Sequence, residues 1–260
     1  LPAGCSLTST SSGAILSGFN EVSSNTTSTF TIRAKDAASN VSDREFTITV
    51  NAPVSQSFTS SGTFSVPSGT TAVDVLVVAG GGAGGATYHG GGGGAGGLVY
   101  RPGFTVTPGG TVTVTVGDGG TAPTPGGADQ PNPSPGQDSV FGTLTAKGGG
   151  AAGSNAANAS QGGSGGGTGQ AQQGPGASVG QGIQPNQPGE SGNYGFGNPG
   201  GHSNPGPWSS GGGGGGAGAA GGPAGNSPGG GPTTGVSAGQ GGAGKAYTIA
   251  DGTTSVYYAG

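Results

Sequence analysis

Gly211–Gly216 is a run of six consecutive glycines inside a much longer glycine-rich stretch. Residues 80–97, 148–182 and 189–244 are all dominated by glycine, which supplies 68 of the 260 residues. No other feature restricts the fold so strongly. A glycine backbone loses more conformational entropy on ordering than any other. Only 29% of the residues are hydrophobic, so these tracts cannot offset that loss by burying apolar side chains. Any order in them has to come from backbone hydrogen bonding.

Flexible linker or disorder is the compositional default for such a segment. Two features oppose it. Disordered chains are rich in charge, whereas Glu190 is the single charged residue between Lys147 and Lys245. The tracts are also framed on both sides by good strand sequence. A collagen triple helix is excluded, because Gly90–Gly94 and Gly211–Gly216 break any Gly-X-Y period. Polyglycine can instead form the extended left-handed threefold helix, which rises about 3.1 Å per residue and has no internal hydrogen bonds. Its N–H and C=O groups then pair with neighbouring segments, and Cα–H···O contacts add to the packing. The composition thereby becomes a scaffold.

Strand signals surround the tracts. Thr29–Ala34 and Glu45–Val50 alternate about a polar turn at 35–42, a hairpin expected to close a small β-sandwich. Asn51–Val54 reads as a linker. Strands are then expected at 57–59, 62–67 and 71–79, the last ending in the apolar run Val75–Ala79 of a strand buried on both faces. Phe104–Thr107 and the Thr/Val alternation of 111–116, joined by Pro108-Gly109-Gly110, predict a hairpin. Val140–Ala146 predicts one further strand, and 246–249 with 255–258 the closing ones. No segment carries a 3.6-residue period free of Gly or Pro, so no helix is expected.

Charge and cysteine content exclude several functions. The net charge is −4 and the six Lys and Arg are scattered singly, which is no footprint for nucleic acid. No stretch approaches the ~20 apolar residues of a membrane span, so no membrane insertion is expected. Cys5 is the single cysteine, so no internal disulfide or cysteine metal site can form. A lipoprotein box around Leu1–Cys5 is disfavoured by Pro2 and by the lack of a hydrophobic leader; the opening reads as the middle of a domain, and the chain as a fragment.

Chemical motifs are sparse. Gly239–Lys245 reads G-Q-G-G-A-G-K, but Ala246 stands where a phosphate-binding loop needs Ser or Thr. Asp118, Asp129 and Asp138 are the one acidic cluster, in a Pro/Gly-rich loop, and Asp118 reads as a turn residue. His89 and His202 have no ligand spacing to a Cys or carboxylate. No catalytic residue, metal site or cofactor is therefore expected, and a polysaccharide-cleaving activity is disfavoured. The large side chains are more telling. Tyr88 and His89 interrupt the first tract, and Tyr194, Phe196, His202 and Trp208 gather in a later one among Asn, Pro and Gly. Aromatic rings on loops stack on sugars or anchor protein contacts, which makes these six the receptor-contact candidates. The competing reading has them plugging gaps between glycine segments.

Two resemblances accompany this reading. Leu1–Leu7, the turn at Thr10–Gly18 and Ala34-Lys35-Asp36-Ala37-Ala38-Ser39-Asn40 resemble the LPxGLxL, TGxIxG and ATDAAGN stretches of immunoglobulin-like repeats in bacterial and phage surface proteins, although Cys5 replaces the usual leucine. From Ser57 onward, the order VPSGTTAVDVLVVAGGGAGG, GGGGGAGGLVYRPGFTVTPGGTVTVTVGDGG and SVFGTLTAKGGGAAG is similar to the glycine-rich domain of bacterial-virus tail-fibre and adhesin proteins. The receptor-binding adhesins of T-even-like viruses similarly stack polyglycine helices and display loops from one end. Here the tracts are interrupted by Gln, Asn, Pro and Ser.

The expected fold is therefore all-β, with the C-terminal part of an Ig-like sandwich over 1–52 and a linker over 53–56. A glycine-rich domain follows over 57–260, with its strand frame at 57–147 and 245–260 and its glycine-rich scaffold and loops at 148–244. The expected role is a non-enzymatic, extracellular structural or adhesive module of a phage tail fibre or similar virion appendage. Its partners would be a host surface glycan or outer-membrane receptor and other fibre or tail proteins, with a homotrimer as one assembly common among fibres. The alternative is a bacterial cell-surface protein that builds a filament or layer.

Overall fold

A computed structural model describes residues 1–10, 13–18, 24–51, 54–86, 90–122, 124, 132–154, 158–169, 178–184, 194–204, 210–225 and 237–260. The described elements are all β. The chain divides into two units, Leu1–Gln56 and Ser57–Gly260.

The first unit holds two antiparallel hairpins. β1 (Ser6–Thr10) pairs with β2 (Gly13–Ser17), and β3 (Thr26–Lys35) pairs with β4 (Val41–Val50). The alternation in β3 and β4 separates two faces. Phe30 lies opposite Phe46 with ring centroids 6.0 Å apart. On the other face Thr27 bonds Thr49 at 2.9 Å, Thr29 bonds Thr47 at 3.2 Å, and Arg33 grips Asp43 through two hydrogen bonds of 2.7 Å. The turn is tied by Asp36, whose carboxylate accepts from the Asn40 N–H and side-chain amide at 2.8 Å each.

The second unit is built on two sheets. One has the order β10-β9-β8-β5, from Leu144–Ala146, Ser139–Phe141, Thr111–Thr115 and Gly62–Ser65; the other has the order β11-β7-β6, from Gly195–Phe196, Leu98–Thr105 and Ala72–Val78. Their facing sides share one core, in which Val75, Val77, Val99 and Phe104 meet Val114, Phe141, Leu144 and Ala146. Phe104 meets Phe141 edge-on with centroids 5.7 Å apart. A β-bulge gives β7 one residue more than β6 between the pairs Val75–Arg101 and Val73–Phe104. It lets Val99 and Phe104, five positions apart, both face the core. Asp74 secures the bulge by accepting from the Gly103 N–H at 2.8 Å.

Two strand expectations are corrected here. Phe104–Thr107 and Thr111–Val116 do not form a hairpin with each other: β7 pairs with β6, and β8 pairs with β5 and β9. Pro108-Gly109-Gly110 does turn, with the Gly110 N–H on the Thr107 carbonyl at 2.9 Å, but the turn is a corner carrying the chain from one sheet to the other. Alternation set the strands; the valines that reach the shared core chose their partners. Val140–Ala146 is a tight hairpin rather than one strand, reversed at Gly142 with φ +57°.

The glycine tracts pair mainly with one another, with a hydrogen-bond period of three. Ala79, Gly82 and Gly85 donate to Gly97, Gly94 and Gly91, antiparallel; Gly150 and Gly153 donate to Ser164 and Gly167, parallel. The segment 163–168 serves three neighbours in rotation. Gly163 donates to Gly148, Ser164 and Gly167 to Ala95 and Gly92, and Gly165 and Thr168 to Asn198 and Gly201. A β-strand has period two and bonds within one plane. A period of three sends bonds outward in three directions and builds a lattice.

That lattice leaves no room for side chains at most of its positions. A Cβ on Gly91, Gly94, Gly163, Gly165, Gly213 or Gly214 would overlap a backbone atom of a neighbouring segment. The few larger side chains inside it replace backbone pairing. Fully buried Gln184 accepts from the Lys147 N–H at 2.6 Å and donates to the Thr145 carbonyl at 3.2 Å, which extends the pairing of β10. Asn198 donates to the carbonyls of Gly216 and Ala217, and Asn204 joins Ser210 to Gly225.

Gly213→Ala is expected to cost roughly 3 kcal/mol or more, because the Gln240 carbonyl occupies the site of its Cβ. Gly241 is exposed and its Cβ would meet nothing within 4 Å, so Gly241→Ala should be neutral or stabilise by up to ~1 kcal/mol. Thermal melting of the two variants checks both expectations.

Candidate binding surface

The second face of the β11-β7-β6 sheet carries Tyr100 on β7 and Phe196 on β11. A terminal hairpin, β12 (Lys245–Tyr247) with β13 (Val256–Tyr258), lays one of its own faces on it. Lys245 and Tyr247 are two apart on β12 and so share that face. Tyr247 packs on Tyr100 with centroids 4.5 Å apart, and the Lys245 Nζ sits 4.0 Å from the Phe196 ring centre. Burial raises the pKa of both tyrosines, with Asp74 adding to the effect at Tyr100 and Tyr100 at Tyr247. Both phenols therefore stay neutral hydrogen-bond donors. Tyr257 lies on the opposite face of the hairpin and is 74% exposed.

The receptor-contact candidates separate on this frame. Tyr194 and Phe196 do not stand on a free loop. Tyr194 packs against the core under the Arg101 guanidinium, 4.6 Å from its ring centre, and Phe196 is part of β11. The Asn/Gly context of 193–198 concealed a two-residue strand, because pairing with Leu98 and Val99 is a long-range contact that no local signal marks. His202 is exposed on the glycine scaffold, where its carbonyl accepts from the Ala224 N–H at 2.8 Å. Trp208, Tyr88 and His89 lie outside the described residues. Sequence reasoning missed Tyr100, Tyr247 and the two cations. The available signal was scarcity: Arg101, Lys147 and Lys245 are the three cationic residues of 57–260. Lys147 is spent on Asp138 at 2.6 Å, while the other two cover rings.

The remaining polar motifs have structural employment. Asp138 also accepts from the Gly148 N–H at 2.9 Å, and the Asp118 carbonyl accepts from Gln137. In the stretch 239–245 the Gly239 and Gly242 N–H groups donate to Gly211 and Gly214, and a strand follows where a phosphate loop needs a helix. Among the described residues no three His, Cys, Asp or Glu side chains gather as a metal site, and no helix is long and apolar enough to cross a membrane. Cys5 is a free, half-buried thiol. This frame and lattice coincide with a family match, the glycine-rich domain, over residues 58–260. The chain belongs to the glycine-rich domain family. No curated protein and no solved structure matches it. In this glycine-rich domain the matched residues span both sheets, the lattice and the terminal hairpin, and the first unit lies outside them.

Tyr247→Ala is expected to lower stability by roughly 1–2 kcal/mol through the lost ring packing on Tyr100, whereas Tyr257→Ala should stay within ~0.5 kcal/mol. Chemical denaturation distinguishes them. The hairpin turn also carries a pH response. Asp251 accepts from the Thr253 and Thr254 N–H groups at 2.9 and 2.6 Å, and hydrogen bonding to Thr254 above all lowers its pKa to about 2. A depressed folded-state pKa means that the turn's support is complete above the unfolded value of ~3.9 and is lost as pH falls through about 2. Amide exchange at 252–254 should accelerate across that window, and the acceleration should be absent in Asp251→Asn.

Proposed function

We propose that the chain is a non-enzymatic, extracellular structural and adhesive module of a phage tail fibre or similar virion appendage. In this reading the glycine-rich domain is a stiff body whose tracts are polyglycine-II helices. Its loops attach to a host surface glycan or outer-membrane receptor. The hairpins of 1–50 are then the closing part of an Ig-like repeat that spaces the domain from the rest of the fibre.

One observation carries the reading: the three-residue hydrogen-bond period, combined with overlap at almost every Cβ position of the lattice. Three residues per turn is the geometry of the polyglycine-II helix. A domain of about two hundred residues that gives its glycine tracts to such a lattice and confines its small hydrophobic core to the frame is suited to hold a shape outside the cell rather than to enclose a reaction. Motif order over the matched residues, with its resemblance to tail-fibre glycine-rich domains, supports the same reading.

Receptor contact is assigned to the loop bearing His202 and Trp208, with Tyr88 and His89 as further candidates. Trp208→Ala should then abolish or strongly reduce binding of the labelled chain to a panel of bacterial cells while leaving the melting temperature unchanged, since a hot-spot aromatic costs ~2 kcal/mol or more in binding. Lost stability with unchanged cell binding would sink the loop assignment. Assembly of the purified chain into filaments without cell binding would favour the bacterial surface-layer role.

A further inference from the structure

The glycine lattice has an unfinished edge at residues 237–243. Inside the lattice, every N–H of 163–168 donates to a neighbouring segment. In 237–243 the N–H groups of Gly239 and Gly242 donate to the Gly211 and Gly214 carbonyls, and the carbonyls of Ser237, Gln240 and Ala243 accept from Gly225, Gly222 and Gly218. Ala238 and Gly241 are three apart and so lie on one side of a threefold helix. Both are exposed, and neither their N–H groups nor their carbonyls have a hydrogen-bond partner among the described residues. We propose that this edge pairs with the same segment of a second copy of the chain.

The period and the spacing select that occupant. A β-strand repeats every two residues and falls out of step with a row offered at every third, whereas the glycine tracts of this chain bond at every third residue. A Cβ on Gly241 would meet nothing within 4 Å, and its φ lies outside the left-handed region. Neither crowding within the chain nor backbone conformation requires glycine there; a second segment seated at the close spacing of the lattice does. Because the segment offers unpaired donors and unpaired acceptors together, it supplies both halves of a pairing with its own copy. Residues 237–244 carry no charged side chain that would repel one.

The adjoining segment shows what a closed edge looks like. In 219–225 the N–H groups of Ala219, Gly221, Gly222, Ala224 and Gly225 all donate within the lattice. The row left over is Ala220 and Pro223, both exposed. Proline has no N–H to offer and its ring holds a neighbour away, which is one of the ways exposed strand edges are protected from pairing. The edge at 237–243 carries neither proline nor charge. An open sheet edge in that state takes up another strand, and an open lattice edge takes up another glycine segment for the same reason.

Sedimentation equilibrium of the full chain should show concentration-dependent self-association. Gly241→Pro removes the N–H and places a ring in the contact. Proline fixes the φ of about −75° that the polyglycine-II helix already has, and no hydrogen bond within the chain is lost. The variant should therefore melt like the parent when both are monomeric, and should self-associate about tenfold more weakly or less. If it does not fold, Gly241→Val should give the same loss, since its Cβ meets nothing within the chain. Tyr257→Ala, on the exposed face of the terminal hairpin, should leave self-association unchanged. A chain that is monomeric at every concentration, association that survives in a folded Gly241 variant, or association lost in Tyr257→Ala would overturn the pairing. The inference rests on the polyglycine-II reading of the tracts, and amide exchange separates the two. Protection across 163–168 in a chain that stays monomeric removes the pairing and leaves the lattice, whereas exchange there at random-coil rates removes the reading itself.

Discussion

Everything distinctive in this chain depends on the backbone-to-backbone hydrogen bond made at a distance only glycine permits. The Gly201 N–H reaches the Gly213 carbonyl at 2.7 Å and Gly213 passes the same pairing on to Gly222 at 3.0 Å, so consecutive segments lie in direct main-chain contact. Removing the side chains removes the apolar burial that normally stabilises a fold. It also allows each segment to bond in three directions instead of two, so that the same peptide groups tie it to more neighbouring segments. A buried peptide group without a partner is costly, so once such a lattice forms, each bond is held by the cost of leaving it unmade.

The hydrophobic frame completes what the lattice cannot do. Glycine segments carry little information about register, because one glycine is equivalent to the next. Val75, Val77, Val99 and Leu144 are distinguishable, and packing them into one core sets where 79–85, 90–97 and 147–154 begin. Side-chain amides perform the same service inside the lattice, where Gln184, Asn198 and Asn204 each reach carbonyls or N–H groups that another register would misplace. Interruptions of the glycine tracts by Gln and Asn therefore act as registration marks. One interruption is not satisfied in this way: the hydroxyl of fully buried Ser164 has no partner among the described residues.

The terminal hairpin joins the two systems. Its ring and ammonium pack on Tyr100 and Phe196 of the frame, while the Ala217 N–H of the lattice donates to the Ala259 carbonyl at 2.8 Å. Two of the domain's three cations lie over rings rather than beside carboxylates. With so little charge in the chain, cation–π contact supplies polar specificity at positions that are part buried and part exposed.

Local pattern alone determined the all-β class, the β3–β4 hairpin and the strand character of 72–78, 111–115 and 246–247, because alternation and β-branched residues act within a few positions. Glycine content together with the near absence of charge also pointed to ordered glycine segments. The tertiary structure decided who pairs with whom. It sent Thr111–Thr115 to β5 and β9 instead of to its sequence neighbour, drew Gly195–Phe196 out of an apparent loop into a sheet, and set Lys245 over Phe196. Each of these is a contact between residues far apart in the chain, selected by which apolar faces can share a core, and no local period encodes that choice.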